Sequence, residues 1–305
     1  MMTAEAKNAP KLVDHYAEVN GVRLHYVSAG KGPLIIFLHG FPEFWYEWKN
    51  QLAEFGKDHL AVAPDMRGYN LSAKPADVDQ YQMKYLMEDV RAFAAHLGYQ
   101  KFTLVAHDWG GAVAWVLASQ HPEILDKLVI VNAPHPGVFA RLLSGDPQQQ
   151  QASQYMLMFR SPQAEAALSA NQYALLVGIV LGPGLKNGVF TEDDKKAYID
   201  AWSQPGALTG GLNYYRAAQV GPPQPGATAA ATPANFSADP ASLTVKVPTL
   251  VIWGEKDTAL TTKNLDGLDQ FVPNLTIKRI PDGSHWVIHE KPDEVNGYIR
   301  EFLRK

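Results

Sequence analysis

FTLVAHDWGGAVAWVLAS (102–119) writes a strand, a sharp turn and a helix into one short stretch. Phe102 to Ala106 is a short, mostly apolar run of strand length, and Ala112 to Ala118 carries apolar residues at three- and four-residue spacing, as an amphipathic helix does. Between them stands Asp108, with small residues at Ala106 and Gly110. Small flanks let the chain turn sharply and thrust the intervening side chain above the end of the strand. An aspartate at such a place also serves as a helix cap, because its carboxylate accepts from free N–H groups. This stretch alone leaves both roles open.

Working outward, apolar alternation over Val13–Val19, the pair Asn20-Gly21 and a second alternating run over Val22–Val27 predict an antiparallel hairpin. Short apolar runs at Leu34–Leu38, Leu60–Ala63 and Leu128–Val131 predict further strands, with an amphipathic helix over Met83–Leu97 between two of them. The pattern resumes with strands at Thr249–Trp253 and Leu275–Ile280 and a closing helix from Pro292, where proline suits a first turn. Eight strands result. Between Val131 and Val247 the alternation stops: helical patterns with many Gly and Pro predict an insertion, and its trailing edge GPPQPGATAAATPANFSADPAS (221–242) predicts an irregular return to the core.

The 305 residues are 46% hydrophobic and 19% charged, a globular composition with room for one large domain and a smaller insert. A net charge of −4 gives no electrostatic reason for a nucleic-acid or acidic-membrane partner, so a small neutral molecule is the expected ligand. Absence of cysteine excludes disulfides, thiolate metal sites and a cysteine nucleophile. The start MMTAEAKNAPKL lacks the charge and apolar pattern of a secretory signal, and the apolar run Ala174–Leu185 is too short to span a bilayer, so a cytoplasmic protein without a membrane span is expected. A monomer and a homodimer are equally compatible with the sequence.

Four polar positions fall just beyond the C-terminal ends of predicted parallel strands: His39 in HGFP (39–42), Asp108, Asp257 in GEKD (254–257) and His285 in GSHW (283–286). Open α/β sheets place ligands at that edge. Their convergence favours a chemical role for Asp108 over a helix cap.

These pieces, with HGFPEFWYEW (39–48), DMRGYNLSAKP (65–75), HDWGG (107–111), NAPHP (132–136), QYMLMF (154–159) and LNYYR (212–216), make the chain resemble the α/β-hydrolase superfamily over nearly its whole length. Within it the resemblance is to epoxide hydrolases related to the mammalian soluble enzyme. It implies an α/β-hydrolase fold with an eight-stranded, mostly parallel sheet and a helical cap inserted after the sixth strand. The expected domains are a core over 1–134, a cap over 135–244 and the rest of the core over 245–305. One departure is Asn70, where much of the superfamily has glycine; asparagine is the non-glycine residue most tolerant of positive φ.

Carried over residue by residue, the resemblance implies Asp108 as nucleophile, Asp257 as triad acid and His285 as base, with backbone N–H groups of Phe41 and Trp109 forming the oxyanion hole. Tyr155 and Tyr215 match the two cap tyrosines that donate to the opening oxygen, with neighbouring Tyr214 the alternative register. His39, Pro42, Trp45 and Trp286 are expected to line the substrate pocket, with His39 and His107 hydrogen-bonding structurally rather than acting as bases. No cofactor and no metal are expected: His285 and His289 lie four apart, but no third ligand is evident.

A carboxylate nucleophile suits attack on an sp³ carbon, since attack on an ester would give a reactive anhydride. The implied reaction opens an epoxide to a vicinal diol through an Asp108 ester that His285-activated water hydrolyses. A haloalkane or haloacid dehalogenase is the nearest rival, because it shares nucleophile and base. It calls for a halide cradle, or for arginines that hold a carboxylate; position 41 is Phe rather than Asn, and no arginine flanks Asp108. A non-catalytic binding protein would not need nucleophile, acid and base together.

Overall fold

The computed structural model describes residues 10–223 and 240–305. The expected irregular return over 221–242 thus lies mostly outside the described residues.

Eight strands form one sheet: β1 Val13–Val19, β2 Val22–Ala29, β3 Leu34–Leu38, β4 Leu60–Pro64, β5 Phe102–His107, β6 Leu125–Val131, β7 Thr249–Gly254 and β8 Leu275–Ile280. Their order is β1-β2-β4-β3-β5-β6-β7-β8. β2 pairs antiparallel with β1 and β4, and the rest of the sheet is parallel. β3 shows why these runs are strands and why they are apolar throughout. Leu34, Ile36 and Leu38 pack into the core on one face, Ile35 and Phe37 into the core on the other, and all five are buried.

The helices in chain order are α1 Lys49–Phe55, α2 Met83–His96, α3 Asp108–Gln120, α4 Pro136–Gly145, α5 Pro147–Ala152, α6 Tyr155–Arg160, α7 Ala164–Leu176, α8 Gly182–Asn187, α9 Glu192–Trp202, α10 Ala207–Ala218, α11 Val287–Glu290 and α12 Pro292–Leu303. α1 and α12 cover one face through Leu52, Phe55, Val295 and Ile299, while α2 and α3 cover the other through Val90, Phe93, Val113 and Leu117. Between β6 and β7 the described residues form helices and turns and no strand. This insert is tied to the core by polar bonds from buried aromatics: Trp202 Nε1 donates to Pro42 O (2.6 Å), and the Tyr214 hydroxyl donates to Arg67 O (2.9 Å).

The apolar helical run in the insert is longer than the Ala174–Leu185 stretch visible in the sequence. Ala164–Asn187 spans 24 residues and contains an 18-residue window with a mean hydropathy of 1.3, long and apolar enough by length and composition to cross a membrane. It is not one rod: Asn171, Gln172 and Tyr173 take left-handed backbone angles (φ 50, 56 and 61°), which break the helix there.

Because β4 lies on one side of β3 and β5 on the other, the chain reverses its winding direction between β3 and β5. Loops leaving the C-terminal ends of these two strands diverge, and a crevice opens between them. Asp108 stands at that crevice.

Candidate active site

Asp108 begins α3 directly after β5 and takes φ 46°, a left-handed angle that costs a non-glycine residue about 1–3 kcal/mol. The turn is possible because two residues packed around it, Gly110 and Gly40, lack side chains. A Cβ on Gly110 would sit 2.4 Å from Leu38 O, and one on Gly40 would sit 2.3 Å from both Cβ and Oδ1 of Asp108. The loop after β3 can therefore close onto the carboxylate, and Phe41 N–H donates to Asp108 Oδ1 at 2.8 Å. Asp108 Oδ2 carries no such bond and faces His285 Nε2 across 3.7 Å.

His285 stands in the loop between β8 and α11. Its Nδ1 donates to Asp257 Oδ2 at 2.7 Å. Asp257 is saturated: Oδ1 accepts from the N–H groups of Ala259 (2.8 Å) and Leu260 (2.9 Å), and Oδ2 also accepts from Asn132 Nδ2 (2.8 Å). Burial would raise this carboxyl, but the His285 charge and these hydrogen bonds hold it below the usual carboxylate value. Burial likewise would lower the His285 imidazole, yet Asp257, then Asp108 and Glu47, lift it to about 9. His107 holds the His285 backbone, with Nε2 donating to His285 O at 3.0 Å.

Two cavities meet at Asp108, Tyr155 and Tyr215. One of about 310 Å³ is bounded by Phe41, Pro42, Met158, Leu176, His285 and Trp286, and a smaller one of about 50 Å³ by Trp109, Ala112, Phe139, Met156 and Val220. Their walls are almost wholly apolar. Burial, and next the Asp108 charge, push both phenols well above their usual value, so both remain protonated. The choice between the two adjacent tyrosines is clear: Tyr214 turns its hydroxyl to Arg67 O, while Tyr215 faces the cavities and packs edge-on against Trp109 at 5.0 Å.

The structure brings Asp108, Asp257, His285, Phe41, Trp109, Tyr155, Tyr215, Pro42 and Trp286 together. Two expected pocket residues do not line either cavity. His39 is fully buried, with Nδ1 donating to Gly40 O (2.9 Å) and Nε2 accepting from Met66 N (3.0 Å), so its ring braces the loop from behind. Trp45 packs edge-on against Phe44 and Tyr46, and its backbone N–H donates to Asp65 Oδ1. Asn70 takes φ 40° and donates to Asp65 Oδ2 (2.8 Å), which accommodates its departure from glycine.

Asn132 had no role assigned from sequence. It closes β6 with φ 37°, bonds Asp257 and accepts from Gly254 N (2.8 Å), fixing Asp257 to the end of β7. Its place beyond a parallel strand was the available signal. His289 does not pair with His285. It joins Glu43 and Glu47 in a buried group whose ligand-type atoms lie within 4.8 Å of one another, the one three-residue group of that kind among the described residues.

With Asp108 at its sharp turn and the Asp257–His285 pair at the same sheet edge, the alpha/beta hydrolase fold family model matches residues 33–292. The chain belongs to the alpha/beta hydrolase fold family. Within this family, the chain is 40% identical over 293 residues to the AB hydrolase superfamily protein YfhM of Bacillus subtilis (strain 168), covering 95% of this chain and 97% of that protein. It is 38% identical over 312 residues to Epoxide hydrolase 4 of Mus musculus, covering 98% of this chain and 82% of that one. Among solved α/β hydrolases it is similar to a Bacillus megaterium epoxide hydrolase in complex with an inhibitor, at 38% identity and TM-score 0.88, covering 95% of this chain and 100% of that one.

Proposed function

We propose that this α/β hydrolase is an epoxide hydrolase that works without metal or cofactor, with the helical insert as its cap. The observation that carries the reading is the pair of protonated phenols, Tyr155 and Tyr215, bounding the same apolar cavities as the Asp108 carboxylate. A nucleophile facing two neutral hydrogen-bond donors suits a substrate whose leaving oxygen stays attached and becomes an alkoxide. The relatives named as epoxide hydrolases support it.

In the proposed reaction Asp108 Oδ2 attacks an epoxide carbon, the C–O bond breaks, and the phenols donate to the alkoxide. A hydroxyalkyl ester results. Oδ1, on the Phe41 N–H, becomes the ester carbonyl oxygen and lies in place for stabilisation when the carbonyl is attacked, with Trp109 N–H as the second donor. Forming the ester removes the Asp108 charge that helps hold His285 protonated. His285 gives up its proton to neutralise the alkoxide side, and the imidazole is then a base: it takes a proton from water, the hydroxide attacks the Asp108 carbonyl carbon, the imidazolium gives a proton to the departing alkoxide as the diol leaves, and the proton left on the Asp108 carboxyl passes back to His285.

The apolar walls favour an uncharged epoxide with an aryl or alkyl arm. Incubation with styrene oxide, a haloalkane, fluoroacetate and a simple ester, each with the wild type and Asp108→Ala, tests the assignment. Diol from the epoxide by the wild type alone supports it; halide release without diol contradicts it.

A further inference from the structure

The helical insert presents an apolar face to solvent beside the way into the larger cavity. No charged residue stands between Glu165 and Lys186. After the break at Asn171, Gln172 and Tyr173 the helix shows two faces: Leu176, Val180, Leu181 and Gly184 are buried, while Ala174, Leu175, Gly178, Ile179 and Pro183 are exposed. The exposed positions recur at helical spacing and form one stripe without a polar side chain. Leu175 and Ile179, one turn apart, are 43% and 46% exposed. The other large hydrophobic residues exposed among the described residues, Val13, Tyr16 and Leu71, bound neither cavity, whereas Leu175 and Ile179 also line the cavity of about 310 Å³ that reaches Asp108. Being wall and surface at once, they form its mouth. Trp286 Nε1 donates to Ile179 O (3.1 Å), which satisfies a backbone carbonyl of the stripe and ties it to the core.

Length, area and charge say what covers this stripe. The helical stretch from Ala174 to Asn187 is roughly 21 Å long, short of the roughly 30 Å of a hydrocarbon core, so it can lie on a bilayer but not span one. Two large side chains, each less than half exposed, fall well short of the roughly 800 Å² per partner that a stable protein interface buries, which argues against a second copy of the chain. A lipid surface asks for less, because it takes in one apolar helix face to a depth of about 5–10 Å. Charge then selects the lipid. With a net charge of −4 and no basic residue within the stripe, the protein is repelled by an anionic leaflet and not by a zwitterionic one.

We propose that this stripe docks on a zwitterionic lipid surface and sets the cavity mouth at Leu175 and Ile179 against it. An uncharged epoxide dissolved in the lipid then reaches Asp108 without crossing water. Lipid is also where a molecule suited to apolar walls collects. The route of entry rests on the proposed reaction; the docking itself does not.

Gly178 gives the cleanest test: it sits mid-stripe, lines neither cavity, and a Cβ built on it meets nothing within 4 Å. Flotation with phosphatidylcholine vesicles should recover the wild type. Gly178→Glu should weaken that binding about tenfold or more and Gly178→Leu should strengthen it about threefold or more, while added phosphatidylglycerol should not strengthen it. Because the chain has no cysteine, Ile179→Cys carries a single fluorophore, whose emission should shift to the blue on vesicles; that of Glu123→Cys, before the start of β6 at the opposite edge of the sheet, should not. In turnover, Gly178→Glu should match the wild type on styrene oxide in vesicle-free buffer and be slowed about fivefold or more on hexadecene oxide held in vesicles. Folded wild type that does not bind vesicles, binding that both Gly178 variants leave unchanged, binding that requires anionic lipid, equal rates on vesicle-held epoxide, or a dimer in sedimentation that Gly178→Glu dissociates would each overturn it. Diol from styrene oxide without vesicle binding contradicts this inference and leaves the proposed reaction standing. Vesicle binding without diol from any epoxide leaves the docking standing and removes the reaction.

Discussion

His285 Nε2 faces Asp108 Oδ2 across 3.7 Å, too far for a hydrogen bond but near enough for a strong charge interaction, while Nδ1 of the same ring donates to Asp257 at 2.7 Å. The two carboxylates therefore do different things to one imidazole. Asp257 orients it permanently. Asp108 adds a charge that, in the proposed reaction, lasts only until the carboxylate is alkylated.

That difference predicts a pH effect with a definite sign. His285 lies at about 9 in the free protein, above its ordinary 6.5, and Asp108→Asn removes one of the charges that raise it. An NMR titration should find the ring lower in Asp108→Asn than in wild type; an unchanged value would remove the proposed switch. Because the folded value is raised, the stability His285 contributes is complete below pH 6.5 and is lost as pH rises through about 9. Denaturant unfolding of wild type against His285→Gln should show that loss in the wild type only.

The phenol pair should divide the two half-reactions. Tyr155→Phe or Tyr215→Phe alone should slow ring opening moderately, and the double variant should nearly abolish it while ester hydrolysis is unaffected. Each lost bond to a developing alkoxide is worth roughly 2–4 kcal/mol, so tens- to hundreds-fold in rate, without strict additivity. Pre-steady-state alkylation measures this. A double variant that opens epoxides at the wild-type rate shows that these hydroxyls are not the donors.

Asn132 should matter without touching substrate. Asn132→Ala leaves Gly254 N without its acceptor and Asp257 short of one donor, and a buried unsatisfied group costs about 1–3 kcal/mol. Thermal unfolding should register the loss, and ester hydrolysis should slow more than ring opening, because the acid serves the base. Equal slowing of both steps would mean that the damage is only structural.

Much of this was legible in the chain because apolar period and end-of-strand position are local signals. β3 and β8 have the limits the apolar runs predict, and Asp108, Asp257 and His285 declared themselves by following strands. The start of β6 at Leu125 did not, since Asp126 and Lys127 interrupt the apolar run at the strand's edge. Strand order is a matter of tertiary winding, and no local pattern encodes the reversal at β3 and β5. Trp45 and His39 were misplaced for a related reason: sequence puts them in the right loop but cannot say that both rings turn inward, one onto Phe44 and Tyr46 and the other onto Met66 N. Glu43 and Glu47 carry no local signal, because the residues that close over them, His107, Tyr198 and His289, come from three distant segments.

The most direct test of the central claim is to trap the ester. His285→Gln removes the base for the second half-reaction and leaves Asp108 and both phenols in place. Mass spectrometry of this variant after exposure to styrene oxide should find the protein plus one substrate mass, mapped to the peptide containing Asp108. Unmodified protein under conditions in which the wild type forms diol would contradict the covalent mechanism.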